Sequence, residues 1–233
     1  MLREEDRNLV RSLQLFAAMD DSNFADLMRV AYLQTFPPQI QLITEGEPAD
    51  FLHIVVEGVV ELFARSNGRE TTMALVHPVS TFILAAVLKD AAYLMSARTL
   101  EKSRILLIPA ENIRTIMERD PGFDRAIIIE LASCYRGVVK AQKDLKLRSG
   151  VERLANYLLR QHARQGGNGQ LMLHVEKRVL AARLGMTPEN LSRAFGTLKP
   201  YGVVVNGSDV ELTSPEDLAA LAKPNPLIDD PTI

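Results

Sequence analysis

The chain has 233 residues, of which 47% are hydrophobic and 24% charged, and its formal net charge is −2. This length and apolar content predict one or two globular domains and argue against wholesale disorder. The longest apolar stretches fall far short of the roughly 20 residues of a membrane helix, and no signal peptide is visible, so we expect neither a membrane protein nor a secreted one. The single cysteine, Cys134, excludes an intrachain disulfide framework and a one-chain cysteine cluster for zinc or iron–sulfur, which fits a cytoplasmic location.

Charge is unevenly distributed along the chain. Residues 140–200 hold twelve lysines and arginines against four acidic residues, whereas the remainder is acidic. A basic segment in an acidic protein favours a polyanionic partner such as nucleic acid, although a solvated helical surface with a chance excess of basic residues has the same pattern.

The first half of the chain changes its periodicity near residue 37. Residues 2–33 repeat apolar side chains every three or four positions, which predicts helix, and Pro37 and Pro38 end that pattern. Short β-branched runs follow at residues 52–56, 59–64, 71–76 and 103–108, and Asn67-Gly68 between two of them is a strong hairpin signal. We predict a compact antiparallel β unit of the roll or jelly-roll type.

Helical spacing returns after Pro121 with a heptad stripe. Its apolar positions alternate steps of four and three: Ile127, Leu131, Cys134, Val138, Ala141 and Leu145. A helix of this kind needs a partner, and a symmetric homodimer is the simplest supplier. The alternative is that the stripe packs on its own β domain.

The last third of the chain reads as a mixture of short elements. Residues 148–164 form the next predicted helix, with Ser149-Gly150 as a hinge before it. A strand at residues 171–175, helices near 176–184 and 187–198, and a hairpin at Asn206-Gly207 follow. The tail from Pro224 is predicted to be flexible.

Residues 179–198 carry the most informative motif. Gly185 supplies a sharp turn, Thr187 is suited to cap the next helix, and Pro188 suits its first position. An inward face is predicted for Leu191, Phe195 and Leu198. This pattern is typical of a helix-turn-helix, and the hairpin that follows makes it a winged version.

The second helix of such a motif enters the major groove by its N-terminal half. Arg193 is predicted to bind guanine O6 and N7, and Glu189 to accept from a cytosine amino group, while Ser192 contacts a base or a phosphate. Pure capping by Glu189 and a phosphate or intrahelical contact by Arg193 are the alternatives. Phosphate contacts are predicted for Lys177, Arg178, Thr187 and Lys199.

The order of these parts resembles the bacterial transcription regulators related to the cyclic AMP receptor protein and FNR, over roughly residues 10–220. The resemblance is carried by Gly46-Glu47, the Ile54/Gly58/Val60 strand pattern, Asn67-Gly68, the long helix and GMTPENLSR at residues 185–193. Glu189, Ser192 and Arg193 match the FNR branch.

The resemblance implies an α+β protein: an N-terminal antiparallel β-roll with flanking helices, a long dimerisation helix and a C-terminal winged helix-turn-helix. It also implies a homodimer that binds double-stranded DNA at a two-fold symmetric promoter site with half-sites of the TTGAT type and that works with RNA polymerase. An activator is the favoured interpretation, and repression is the alternative that the sequence leaves open. The corresponding domains are the sensor at residues 1–120, the dimerisation helix at 121–147, the DNA-binding domain at 148–223 and the flexible tail at 224–233.

The sensor domain departs from the family's cyclic-nucleotide pattern. Members that bind cyclic nucleotides carry Gly-Glu and, about ten residues on, Arg-Ser, whereas this chain has Leu84-Ala85 and Met95-Ser96. Methionine cannot give charge-assisted hydrogen bonds to a phosphate, so binding of cyclic AMP is not expected. The FNR-type iron–sulfur cluster is not expected either, because its amino-terminal cysteines are absent.

Three kinds of signal remain open. A non-nucleotide small molecule has a candidate apolar pocket, which simple core packing would also explain: Phe82, Leu84, Ala85, Leu94, Met95 and Ser96. Haem has candidate ligands at no diagnostic spacing, namely His53, His77, His162 and His174. A redox signal would use Cys134 on the predicted seam, although a small buried residue is the simpler interpretation. The cofactor is therefore unknown, and no metal site is predicted.

We interpret the chain as a DNA-binding regulator rather than an enzyme. One rival is a cupin-like small-molecule-binding protein or enzyme, but cupins need clustered histidines, and His53 and His77 stand 24 positions apart. The other rival is a scaffold whose helix-turn-helix has become a protein-contact surface.

Overall fold

The computed structural model describes residues 3–232, and the chain divides into two compact units, one up to Cys134 and the other from Tyr135. The boundary falls inside the long helix Pro121–Leu147. Within residues 3–232, no helix combines the length and the apolar character needed to cross a membrane. The predicted β-roll, long helix and winged helix-turn-helix are all present.

Short helices precede the β-roll: α1 (Glu4–Arg11), α2 (Gln14–Ala17) and α3 (Asp21–Val30). The Asp20 side chain starts α3 by accepting a hydrogen bond from the Ser22 amide at 2.8 Å. The prediction of helix through residue 33 is wrong for its last residues, which belong to strand β1 (Tyr32–Phe36). This strand pairs antiparallel with the strand formed by Ser103–Pro109. Sheet pairing thus overrides the helical spacing there.

The β-roll consists of two four-stranded antiparallel sheets with the orders β1-β8-β3-β6 and β2-β7-β4-β5. The further strands are β2 (Gln41–Ile43), β3 (Phe51–Glu57), β4 (Val60–Ser66), β5 (Arg69–Val76), β6 (Ser80–Phe82), β7 (Ser96–Thr99) and β8 (Ser103–Pro109). Asn67 and Gly68 both have positive φ, 50° and 73°, and join β4 to β5 in the predicted hairpin.

Helices close the β-roll around one apolar core. They are α4 (Leu84–Lys89), α5 (Ala110–Met117) and the first turns of α6 (Pro121–Leu147). The rings of Phe16 and Phe123 stack with centroids 5.8 Å apart, and both side chains are fully buried. Burying such aromatic side chains stabilises the unit by roughly 1.5–3 kcal/mol each.

The second unit is a winged helix. Its elements are α7 (Gly150–Arg164), β9 (Gln170–Met172), α8 (Lys177–Arg183), α9 (Pro188–Leu198), β10 (Val203–Asn206), β11 (Asp209–Leu212), α10 (Pro215–Ala222) and α11 (Pro226–Asp229). The strands form a sheet of order β10-β11-β9, and the helices share a core with Leu154, Leu158 and Leu218 fully buried.

The tail differs from the prediction of a flexible segment. Residues 226–229 form α11, and the Asp229 carboxylate accepts hydrogen bonds from Arg148 and Arg160. The physical reason is charge pairing with arginines 81 and 69 positions away in sequence, which composition near the C-terminus does not reveal.

His53 on β3 is a buried neutral histidine. Its side chain is held between aromatic rings, with centroid distances of 5.2 Å to Phe82 and 6.5 Å to Tyr93. Its Nδ1 atom lies 3.1 Å from the carbonyl oxygen of Phe51. Burial disfavours the imidazolium and lowers the pKa of His53 to about 4.

We expect this histidine to make stability fall in acid. Between about pH 6.5 and about pH 4, the unfolded chain binds a proton that the folded chain does not, so the free energy of unfolding decreases as the pH falls. At about 1.4 kcal/mol per pKa unit, the loss approaches about 3 kcal/mol. His53→Gln should lose less stability over that range in urea unfolding.

The matched control is His174→Gln, since His174 is exposed. It should keep the acid dependence of the unaltered protein. Identical pH dependence in the unaltered protein and His53→Gln would contradict the assignment.

Candidate nucleic-acid interface

The helix-turn-helix is formed by α8, the turn at residues 184–187 and α9. Gly185 lies in the turn with φ of +63°, and a Cβ there would come within 2.6 Å of the Leu145 Cδ1 atom. The positive φ favours glycine, as predicted from its place in the motif, whereas the end of the exposed Leu145 side chain is free to move away from a Cβ.

The start of α9 is capped by a side chain. The Thr187 hydroxyl accepts a hydrogen bond from the Asn190 amide at 3.3 Å, and Pro188 occupies the first turn. Glu189 lies at the positive end of the helix, where its backbone amide, the Thr187 side chain and the charge of Arg193 hold the pKa of its carboxyl below the usual value. Glu189 is therefore an ionised acceptor near neutral pH.

The two faces of α9 separate as predicted. The inward face is 8% exposed or less, and comprises Leu191, Ala194, Phe195 and Leu198. The outward side chains are exposed, and include Glu189, Asn190, Ser192 and Arg193. The Ser192 hydroxyl donates to the Pro188 carbonyl at 3.0 Å. The outward face therefore carries the Glu189 carboxylate, the Ser192 hydroxyl and the Arg193 guanidinium within two turns of the helix.

The residues predicted to bind phosphate flank this face. Lys177 and Arg178 begin α8 and Lys199 follows α9, and all three are exposed. Thr187 is also exposed, but its hydroxyl serves as the helix cap. The hairpin at residues 203–212 adds Asp209 and Glu211 and no basic residue.

Arg153 is a site residue that sequence reasoning missed. Its buried guanidinium donates to the carbonyl oxygens of Leu184 at 2.8 Å and of Arg148 at 2.6 Å, with longer bonds to Leu145 and Gly185 at 3.4 Å each. It therefore joins the helix-turn-helix turn to the end of α6. The available signal was an arginine directly before the apolar residues of α7, where a solvated charge is out of place.

The six residues predicted to line an effector pocket do not share one surface. Phe82 and Leu84 belong to the core, and the Ser96 hydroxyl accepts from the Glu45 amide at 3.0 Å, while Ala85 and Leu94 are exposed, the latter by 82%. Met95 is half-buried. Successive residues of an α-helix are about 100° apart, so Leu84 turns into the core while Ala85 is exposed, and proximity in sequence did not produce a common lining.

The predicted dimer seam needs a correction at its start. Ile127 is 1% exposed and lies in the core of the first unit, and Leu131 is half-buried. Cys134, Val138, Ala141 and Leu145 are exposed. The exposed large apolar side chains on α6 include two residues of the predicted seam, Val138 and Leu145, and several beside it: Ile128, Ile129, Tyr135, Val139 and Leu147. In a straight helix of 3.6 residues per turn, a strict heptad stripe drifts gradually around the helix. The predicted stripe therefore begins on the side of α6 that packs in the core and continues on the exposed side.

The candidate haem ligands lie in unlike surroundings. His53 is buried, whereas His77 and His174 are exposed. The His162 Nε2 atom accepts from the Gly169 amide at 2.8 Å. Within residues 3–232, no group of three histidine, cysteine or acidic side chains is placed to hold a metal ion.

We predict that Arg153→Met weakens folding of the second unit. Methionine keeps much of the volume but leaves the carbonyls of Leu184 and Arg148 without their donor, at a cost of about 2 kcal/mol in unfolding free energy. Urea unfolding measures that cost.

The control is Arg164→Met, because Arg164 is exposed in the last turn of α7. It should change the unfolding free energy by less than about 0.5 kcal/mol. Equal losses of unfolding free energy in the two variants would show that the Arg153 guanidinium does not hold the turn to the end of α6.

Comparison with known proteins agrees with this geometry. A model of the cyclic nucleotide-binding domain matches residues 33–120, and one of the Crp-like helix-turn-helix domain matches residues 152–221. The chain is 24% identical over 186 residues to the transcriptional activator protein anr of Pseudomonas aeruginosa, covering 78% of this chain and 76% of that protein. It is 23% identical over 215 residues to the CRP-like cAMP-activated global transcriptional regulator of Mycobacterium tuberculosis, covering 90% and 96%.

Among solved structures, FixK2 from Bradyrhizobium japonicum has the same fold, with a TM-score of 0.70 and 23% identity over 82% of this chain and 97% of that one. The two domain matches occur in the order that the structure shows, β-roll first and winged helix second. The chain therefore belongs to the Crp/FNR family of transcription regulators.

Proposed function

We propose that this regulator works as a homodimer that binds a two-fold symmetric promoter site with half-sites of the TTGAT type, acts on RNA polymerase as an activator, and has no enzymatic activity. The observation that supports the proposal most directly is the outward face of α9, where Glu189, Ser192 and Arg193 are exposed on a helix locked from behind by Leu191 and Phe195.

The chemistry of that face suits base recognition. The Arg193 guanidinium matches guanine O6 and N7, a bidentate pair that contributes roughly 1–3 kcal/mol of discrimination. The ionised Glu189 carboxylate accepts from a cytosine amino group, and Ser192 turns its hydroxyl to a base or a phosphate. Both charged side chains lie in the first two turns of α9, the part of a recognition helix that reaches base edges.

Phosphate contacts are assigned to the basic residues beside α9. Lys177, Arg178 and Lys199 set the register on the duplex, and the Thr187 cap lies at the same helix end. Asp209 and Glu211 repel phosphate, so we expect the wing to contact DNA through backbone amides rather than through charge.

Dimerisation is assigned to the exposed apolar stripe of α6. Tyr135 is 70% exposed, Val138 65% and Leu145 52%, which leaves a ridge of apolar surface unpaired on a single chain. A second copy of the same helix covers it by a two-fold axis, and such an axis matches a two-fold symmetric DNA site.

The signal is proposed to be something other than a cyclic nucleotide. Leu84, Ala85 and Met95 stand where cyclic-nucleotide members of the family carry residues that hold ribose and phosphate, and none of the three supplies a charge. A small-molecule or redox signal at the β-roll would shift the population of DNA-competent dimers.

Arg193→Ala tests base recognition. We expect a loss of roughly 1–3 kcal/mol at the matched site and relaxed preference at one base pair, measured by fluorescence anisotropy on matched and single-substitution duplexes. Lys199→Ala is the comparison, and it should weaken all duplexes alike and reduce the salt slope by about one. The assignment fails if Arg193→Ala weakens matched and substituted duplexes equally.

Val138→Asp tests the dimer. Two carboxylates at an apolar seam lack partners, so sedimentation should show monomers and the symmetric site should bind at least about tenfold more weakly. Ser133→Asp introduces the same charge at an exposed position on a different side of α6 and should leave both properties unchanged. A dimeric Val138→Asp protein would place the interface elsewhere.

A further inference from the structure

The C-terminal segment folds around one carboxylate. We call residues 225–230 the strap. The Asn225 side chain caps α11 by accepting from the Leu227 amide at 2.9 Å, and the Asp229 Oδ2 atom accepts from the Asn225 amide at 2.7 Å. The strap is therefore a closed turn with Asp229 at its centre.

Two arginines converge on that carboxylate. Arg148 forms a fork, with Nη1 2.8 Å from Oδ1 and Nη2 2.5 Å from Oδ2, and the Arg160 Nη1 atom lies 2.5 Å from Oδ1. The Arg148 side chain is 7% exposed and that of Asp229 11%. A two-pronged, largely buried pair of this kind holds geometry better than an exposed ion pair.

The protonation state of Asp229 suits this role. Its burial opposes ionisation, but the hydrogen bonds from Arg148 and from the Asn225 amide outweigh that effect and lower its pKa. The carboxylate is thus charged wherever the chain is folded near neutral pH.

The strap is attached at the bend between α6 and α7. Arg148 follows the last residue of α6, and its side chain also bonds the Asp144 carboxylate one turn earlier at 2.9 Å. Arg160 belongs to α7. Lys140, two turns back on α6, donates to the Asp230 carbonyl at 2.7 Å. The strap thus ties together the last turns of α6 and the middle of α7.

The bend itself is short. Ser149 alone starts α7, through a capping box in which its side chain accepts from the Glu152 amide and Glu152 accepts from the Ser149 amide. These bonds define where α7 begins, but they do not define its direction relative to α6. Direction requires contacts that span both helices. Arg153 of α7 provides one through the Leu145 carbonyl of α6, and the strap provides another.

We propose that Asp229 is a positioning residue: the strap sets the angle between α6 and α7 and thereby the separation of DNA half-sites that the dimer accepts. This inference rests on the proposed function, because half-site separation has meaning only for a dimer joined through α6. Asp229 is placed to act through Arg148 and Arg160, and its carboxylate is already filled by their donors. In two-fold regulators the spacing of half-sites follows from the geometry of the two recognition helices.

Asp229→Asn tests the proposal, with Asp230→Asn as the matched control. Both variants remove one charge from the strap, but the Asp230 carboxylate accepts its hydrogen bonds from the amide and hydroxyl of the neighbouring Thr232 rather than from an arginine. Fluorescence anisotropy is measured on duplexes with constant half-sites and spacers lengthened or shortened by one base pair. The unaltered protein and Asp230→Asn should favour one spacer, and Asp229→Asn should lose about tenfold of that preference while its discrimination among half-site bases persists.

A second variant and a second readout keep the test decisive. Arg160→Gln leaves the Arg148 fork in place and should lose a smaller part of the spacer preference. If Asp229→Asn shows no cooperative unfolding, the spacer preference of Arg160→Gln tests the positioning role in its place. Hydrogen exchange should be faster in Asp229→Asn than in Asp230→Asn at the Arg148 and Arg153 amides, which donate to Asp144 and Ser149.

The outcomes separate the two proposals. If the unaltered protein binds no symmetric duplex, the proposed function fails. In that case, exchange at the Arg148 and Arg153 amides that is as slow in Asp229→Asn as in Asp230→Asn would also overturn the positioning role of the strap. If the unaltered protein binds, an unchanged spacer preference in folded Asp229→Asn overturns the positioning role.

Discussion

The guanidinium of Arg153 is the contact on which the DNA-binding unit depends. The carbonyl ends of two helices meet there. The Leu184 carbonyl directly follows α8, and the carbonyls of Leu145 and Arg148 lie at the last turn of α6 and just after it. Helix C-termini carry unsatisfied acceptors and partial negative charge, and one planar cation with five donors satisfies both ends. The turn of the helix-turn-helix and the end of the long helix are therefore held by a single side chain.

In the same unit, α9 packs in the core with one face and exposes the other to solvent. Leu191, Phe195 and Leu198 lock one side of α9, and Gly185 permits the turn to approach Leu145 closely. On the outward face, Ser192 and Glu189 form hydrogen bonds within the first turns of α9, and the exposed Arg193 guanidinium extends beyond them. Because the packing of α9 depends on its buried face, the outward residues are open to change without loss of the core.

The first unit matches a model of the cyclic nucleotide-binding domain over residues 33–120. Its core contains the stacked rings of Phe16 and Phe123 and the buried neutral His53. The Ser96 hydroxyl accepts a hydrogen bond from the Glu45 amide. The fold is thus retained while the chemistry of the signal is open to change, which is the usual relation between a fold and the sites built on it.

Local chemistry explains what the sequence by itself determined: the hairpin at Asn67-Gly68, the Thr187 cap, the glycine turn at Gly185 and the two faces of α9. Each depends on residues within a few positions of one another, so spacing was sufficient. Tertiary structure alone decided the rest. Arg153 meets Leu184 across 31 positions, Asp229 meets Arg148 across 81, and Ile127 is taken into the core rather than left on a seam. Carbonyls and charges that meet only after folding leave no periodic trace in the chain, because their partners are chosen by three-dimensional proximity and by the cost of burying a polar group unpaired.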